Sequence, residues 1–471
     1  MSDTATATIS TGTLRGTTSD GVRRFLGIPY AAPPFGENRF REPQPAASWI
    51  GVREATAFGP TAPQLPYAGA IGELLGTVRI NGDDVLTANV WAPEKADGAP
   101  VVLWIHGGAF ERGAAALPTY DGAAFARAGI VFVSINYRLG SEGFSVLDDA
   151  PRNLGLQDAA AALAWVSREI AAFGGSPAQV TLMGESAGGS LVAALLARDD
   201  SRPLVRRAII QSGPLQAQSA SKAGRVTAQL ARRLGIATTR AAFAATTSDR
   251  LLEARRVQSA GASPMGGAPG FQLALDPDSL PRSPHEVLPE IETPLLIGTN
   301  TDEYRLWFPP EALDGITRTK LLIARLALRI PGRAERAYRA EWPEASTGEI
   351  FGQIATDFLL RAPATRVALA RSAPTHVYEF AWRSPVRDLR AAHAMELGFV
   401  FQRAHDPDSV RMAGLEPPRA LGLEMNGAWT RFIASGDPGW EPFGSDRLTR
   451  LFDARTETVA QRRMESLDLL P

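Results

Sequence analysis

The sequence predicts an α/β fold, a mostly parallel central sheet flanked by helices, and three observations carry that expectation. Short runs rich in β-branched residues alternate with alanine- and leucine-rich helical runs through the first half of the chain. The strand-like Val180-Thr181-Leu182-Met183 passes through Gly184-Glu185-Ser186-Ala187-Gly188-Gly189 straight into a helical run over residues 190–196. A length of 471 residues, 45% of them hydrophobic, is enough to bury one large core.

In chain order, strands are expected at residues 101–105, 130–135, 180–183, 208–210, 294–298 and 376–382. A long helix is expected from Leu156 to Phe173, between the second and third of them. The expected organisation is a single domain over residues 1–471 with two excursions. Residues 59–76 are rich in proline, glycine and alanine, and residues 311–370 are mainly helical with Pro331 breaking the run. Both read as walls or lids over an active site. Within the second, Arg318, Arg325 and Arg329 recur at helical spacing opposite Ile323, Leu326 and Ile330, the pattern of a solvated basic face on a lid helix.

Composition narrows the function. A formal charge of -1 gives no broad footprint for nucleic acid, so the expected partner is a small molecule. The absence of cysteine excludes disulfides, thiolate metal sites and thiol catalysis. The polar start Met1-Ser2-Asp3-Thr4, with no segment approaching the roughly 18 apolar residues of a membrane span, leads us to expect a cytoplasmic protein with no stable membrane association, with a monomer favoured.

Gly184-Glu185-Ser186-Ala187-Gly188 has the form of a nucleophile elbow, a tight turn between strand and helix that lifts a serine hydroxyl above the sheet. Chance can produce Gly-x-Ser-x-Gly in a chain with 44 glycines, but seldom between a β-branched strand and a helix. Acyl transfer from such a serine needs N–H donors where negative charge develops on the carbonyl oxygen. His106-Gly107-Gly108-Ala109-Phe110, directly after the strand ending at Ile105, supplies them, and Ala187 adds another. The base must be histidine, and there are five. His106 belongs to the glycine turn, His285 precedes the acid candidates, and His376 lies within a strand. His393, with small neighbours at the entry to an apolar segment, is favoured over His405 in an exposed His405-Asp406-Pro407-Asp408 turn. The acid belongs at the carboxyl end of a strand, where Asp302 and Glu303 stand together, and pattern does not choose between them. Leu306, Trp307 and Phe308, with the stretch from Met265 to Phe271, are candidate pocket residues.

With these residues assembled, the chain resembles the type-B carboxylesterase family, which includes bacterial para-nitrobenzyl esterases and the cholinesterases. The resemblance rests on Phe25-Leu26-Gly27-Ile28-Pro29-Tyr30-Ala31 with Arg39-Phe40, Asn89-Val90-Trp91, Asn136-Tyr137-Arg138-Leu139-Gly140, Asn153-Leu154-Gly155-Leu156, the elbow and Gln211-Ser212-Gly213, in order. It implies the α/β-hydrolase fold, a serine carboxylesterase acting on a small-molecule ester, and no metal or organic cofactor. It implies Glu303 as the acid, His393 as the base, and Gly108, Ala109 and Ala187 as oxyanion donors. It leaves amidase, carbamate hydrolase, lactonase or acyltransferase activity as alternatives on the same triad, and a non-catalytic interaction protein as a remote one. Departures from the family pattern are Val85 in place of a disulfide cysteine, Asp83 in place of a glutamate and expected to meet Arg39, Ser176 in place of an aspartate that pairs with the arginine at 138, and Tyr304 where glycine is common.

Overall fold

The computed structural model describes residues 3–260 and 270–471. Among them, thirteen strands form one sheet. Its middle is a parallel array in the spatial order Val131–Ile135, Ala99–Ile105, Gly175–Glu185, Arg207–Gln211, Leu295–Asn300, Thr375–Phe380 and Leu448–Phe452. Most of these strands are buried on both faces, which is why they read as continuous apolar runs rather than alternating ones. The runs expected from sequence at these positions are all strands, and the long helix runs Leu154–Glu169 before tightening into a 3-10 turn over Ile170–Phe173.

The two edges are antiparallel. Thr87–Pro93 pairs with Val131–Ile135 and continues into a ribbon of Val22–Pro29, Gly12–Ser19 and Asp3–Ile9, and Glu457–Ala460 closes the far side. In the outermost strand Ala5, Ala7 and Ile9 are buried while Thr4, Thr6 and Thr8 face solvent, a period of two.

Ala99–Ile105 lies between two strands that both follow it in the chain, so the strand order reverses there. Connections leave in opposite directions from such a point and open a crevice beyond the carboxyl ends. Residues 311–370 form the helices Arg318–Ala327, Gly332–Glu341, Thr347–Thr356 and Ala362–Ala370, with a single π turn at Asp357–Arg361. Pro331 separates the first two, as its missing N–H requires.

Two expectations from sequence are corrected. Ile323 and Leu326 do not form a buried face: they are 62% and 67% exposed, while Leu321 and Ile330 pack against Tyr338, Ile350 and Ile354. The helix is turned so that Arg325 reaches Glu335 at 3.0 Å. Arg39 does not meet Asp83, which is exposed; its guanidinium forks onto Glu142 at 2.5 and 3.0 Å and donates to the carbonyls of Ala244 and Thr246. Arg138 needs no partner at Ser176, because Asp158 takes it in a bidentate pair at 2.7 and 2.8 Å, fully buried. Tyr304 is accommodated by Gly352, where a Cβ would lie 2.2 Å from its ring. No helix among the described residues is long and apolar enough to cross a membrane.

Candidate active site

Four adjacent parallel strands end on the same side, and each hands over a piece of the site: Ile105 to the glycine turn, Glu185 to Ser186, Gln211 to Ser212, and Asn300 to the loop carrying Glu303. Ser186 sits at φ 55° and ψ −123°, a conformation an L-residue keeps only when its surroundings fix it. Its N–H donates to the Gln211 carbonyl at 2.8 Å, and the helix Ala187–Leu196 begins at the next residue. A Cβ at Gly188 would fall 2.0 Å from the Ile105 carbonyl oxygen, so only glycine lets the helix press this close to the neighbouring strand.

The glycine turn is fixed from below. The ring of His106 stacks on Tyr137 with centroids 4.6 Å apart, and its Nδ1 lies 2.8 Å from the Gly107 carbonyl. Burial pushes this imidazole down to about 4, so it stays neutral and serves as scaffold. Gly108, at φ 117°, brings its Cα within reach of Arg112, whose carbonyl oxygen a Cβ would meet at 2.1 Å. Among the described residues, the N–H groups of Gly108, Ala109 and Ala187 donate to no other backbone carbonyl. Three donors are thus left free beside a serine hydroxyl.

Geometry separates the two adjacent acids. Glu303 is fully buried; one carboxylate oxygen accepts from Ser212 Oγ at 2.6 Å and from the Asn300 N–H at 2.7 Å, and the other lies 2.5 Å from His393 Nδ1. Asp302 faces away, 3.8 Å from the Arg305 guanidinium. His393 is buried beneath the Trp307 ring, centroids 4.7 Å apart. Its Nε2 lies 3.0 Å from Glu185 Oε1, and Ser186 Oγ makes no hydrogen bond among the described residues. Burial alone would lower the ring's pKa, but the carboxylates of Glu185 and Glu303 outweigh it and hold the proton well above the usual histidine range. A third carboxylate, Glu396, is pushed up to about 7 by burial and by those same two anions. It accepts from Gln211 Nε2 at 3.0 Å and Asn300 Nδ2 at 2.7 Å.

The remaining histidines lie elsewhere. His376 packs edge-on against Phe432 and Trp440, and burial lowers its pKa. His285 Nδ1 sits 2.8 Å from Ser283 Oγ, and His405 is exposed.

Ser186 and His393 open into a cavity of about 1260 Å³. Leu306 and Trp307 line it; Phe308 does not, packing edge-on against Phe351 at 5.8 Å instead. Phe271 is in the wall, while residues 265–269 lie outside the described residues. The excursions supply walls, among them Tyr67 and Leu74 from the first and Leu359 and Pro363 from the second. Sequence reasoning assigned no role to Ser212, Glu185 or Glu396. Glu185 and Ser212 each adjoin a strand end beside the elbow, which was the available signal; nothing local marks Glu396 as buried.

Residues 3–466 match the model of the carboxylesterase family. The chain is 36% identical over 446 residues to the para-nitrobenzyl esterase of Bacillus subtilis (strain 168), covering 91% of this chain and 90% of that protein. It is 34% identical over 459 residues to the phenmedipham hydrolase of Pseudarthrobacter oxydans, covering 92% of each. Among solved structures, a carboxylesterase of Geobacillus stearothermophilus superposes with a TM-score of 0.88 at 32% identity, covering 99% of this chain and 100% of that one.

Proposed function

The chain belongs to the carboxylesterase family and is a serine carboxylic ester hydrolase, and from that premise we propose that Ser186 carries the acyl group, His393 moves the proton and Glu303 orients the ring. The observation that carries this reading is the chain of short contacts from Ser212 through Glu303 to His393, set beside a strained serine with three free N–H groups. Neutral His393 takes the proton of Ser186 as Oγ attacks the ester carbonyl carbon. The N–H groups of Gly108, Ala109 and Ala187 hold the oxyanion. His393 then gives the proton to the departing alcohol, and water activated by the same ring releases the acid from the acyl-enzyme. Glu185 holds the ring while it is charged, and loss of that charge frees Nε2 for the serine. The excursions at residues 59–76 and 311–370 are parts of one domain and set the pocket's shape. We place this reaction in the cytoplasm, in a monomer that needs no cofactor; light scattering on the purified protein checks the monomer.

Ser186→Ala should abolish turnover of para-nitrophenyl esters and labelling by an organophosphate, with circular dichroism unchanged. Labelling that persists at another serine overturns the assignment. A second reading, acyl donors beyond simple esters, is favoured by the relative named phenmedipham hydrolase. A panel of para-nitrophenyl esters run beside one carbamate, one amide and one lactone separates the two: turnover of the esters alone removes the second reading.

A further inference from the structure

One wall of the active-site cavity carries polarity that the chemistry at Ser186 does not use. Leu359, Pro363 and Arg366 succeed one another at helical spacing and all line the cavity, so the Arg366 guanidinium lies on the helix face turned toward it. Partial burial lowers its pKa, and it makes no ion pair among the described residues. Other lining guanidiniums are neutralised: Arg255 by Glu111 at 2.6 Å and Arg256 by Glu253 at 2.7 Å. Arg329, also in the lining, has no ion pair among the described residues.

The same cavity holds a row of amides. Gln218 donates its N–H to the Leu273 carbonyl at 2.9 Å and accepts from the Leu275 N–H at 2.7 Å, forming a parallel bridge with Ala274. That register sets Gln216 beside Gln272, and the two-residue alternation of extended chain sends Gln216, Gln218 and Gln272 to one side. All three line the cavity, and none of their side-chain amides has a hydrogen-bond partner among the described residues. The lining therefore offers, in Arg366, a guanidinium with no ion pair among the described residues and, elsewhere in the same cavity, amides without a partner. A planar guanidinium presents paired donors that match the two oxygens of a carboxylate.

We propose that Arg366 binds a carboxylate carried by the ester substrate, making the preferred substrates anionic esters: hemiesters of dicarboxylic acids or acylated hydroxy acids. The proposal rests on the assignment of Ser186 and names the substrate class of that site. Hydrolysis itself is unchanged: water adds across the ester, the C–O bond breaks, and the remote carboxylate takes no part in the bond changes.

The test compares kcat/KM for matched pairs on the full chain. One arm places the charge on the acyl side, para-nitrophenyl hydrogen glutarate against para-nitrophenyl pentanoate; the other places it on the alcohol side, 5-acetoxypentanoate against pentyl acetate. In at least one arm, Arg366→Gln should lower kcat/KM for the anionic ester about fivefold, the scale of a partly exposed ion pair, and leave its neutral partner within about twofold. Arg366→Lys, which keeps the charge but not the paired donors, should retain only part of the preference, and raising ionic strength should narrow it in the wild type. Unchanged ratios in both arms, equal losses on both members of a pair, or a preference that collapses with Arg329→Gln but not Arg366→Gln would each overturn the proposal. Turnover of the neutral esters is read in the same assay and tests Ser186 separately, so failure of one reading is not mistaken for failure of the other.

Discussion

Two buried clusters of charge meet at the end of the strand Leu295–Asn300, and they are built on opposite plans. On one side His393 is surrounded by three carboxylates, Glu185, Glu303 and Glu396, which make no ion pair with a guanidinium among the described residues. On the other, Glu379 and Asp357 are enclosed by Arg361, Arg462 and Arg463: Glu379 takes all three guanidiniums at 2.5 to 3.0 Å. Burial alone would raise the Glu379 pKa, and Arg361 and Arg462 reverse that, holding it below the usual carboxylate range. The arginine-rich cluster holds the Glu379 charge in place. The His393 cluster leaves negative charge uncompensated until the imidazole gains a proton, which is the state that the proposed acyl transfer asks of His393. The clusters are linked mechanically, since Arg361 donates to Thr299 Oγ1 at 3.0 Å and to the Asn300 carbonyl at 2.9 Å, while Asn300 donates to Glu303.

Substitutions on the two sides should therefore fail in different ways. The largest effect is expected from Glu303→Gln, whose amide keeps the shape but favours the wrong tautomer of His393: kcat should fall on the order of ten-thousand-fold with the urea midpoint nearly unchanged. Arg361→Met is the mirror case. It leaves Glu379 and Asp357 short of a cation in a buried site and should cost about 3–5 kcal/mol of stability, read from urea unfolding, with a much smaller effect on the kcat of the folded fraction. If Arg361→Met reduced kcat as far as Glu303→Gln, the separation of the two clusters would not hold.

A third test acts within the catalytic cluster. Because Glu185 and Glu303 raise the His393 pKa, kcat/KM should rise with pH through a titration displaced to the alkaline side of an ordinary histidine. Glu185→Gln removes one of the two anions, so the proton is lost more readily and the acid limb should move to lower pH. A limb that stays where it is would mean that Glu303 alone sets the titration.

The two sides also differ in how far they could be read from the sequence. The nucleophile half is contiguous: strand, Ser186, Ala187 and the small residues that permit the turn lie within a dozen positions, so periodicity and turn chemistry suffice. The acid–base half joins residues 90 and 91 apart in sequence, Glu303 with His393 and with Ser212. Choosing Glu303 over Asp302 from residues alone was not possible, because it depends on which way the short 3-10 turn Glu303–Leu306 faces. Family resemblance resolved that choice, yet it misdirected the partner of Arg39, since Glu142 stands over a hundred residues away with nothing local to mark it. The N-terminal ribbon escaped notice for another reason. Its alternation of threonine with alanine is a true period of two, but alanine is a weak strand former.

The smallest expected effect tests whether burial, rather than contact distance, decides these outcomes. Arg15 and Glu54 pair at 2.6 Å, comparable to the contacts on Glu379, yet their side chains are 47% and 57% exposed. Water and salt already stabilise both charges there, and holding two long side chains together costs rotamer freedom. Arg15→Ala should thus change unfolding free energy by less than about 1 kcal/mol, and added salt should erase even that difference. In the Arg361 cluster the converse holds: with water excluded, a lost cation leaves two buried carboxylates to share Arg462 and Arg463. A loss at Arg15 as large as that at Arg361 would mean that contact geometry alone sets the cost, and the contrast between a cluster that fixes charge and one that waits for it would lose its physical basis.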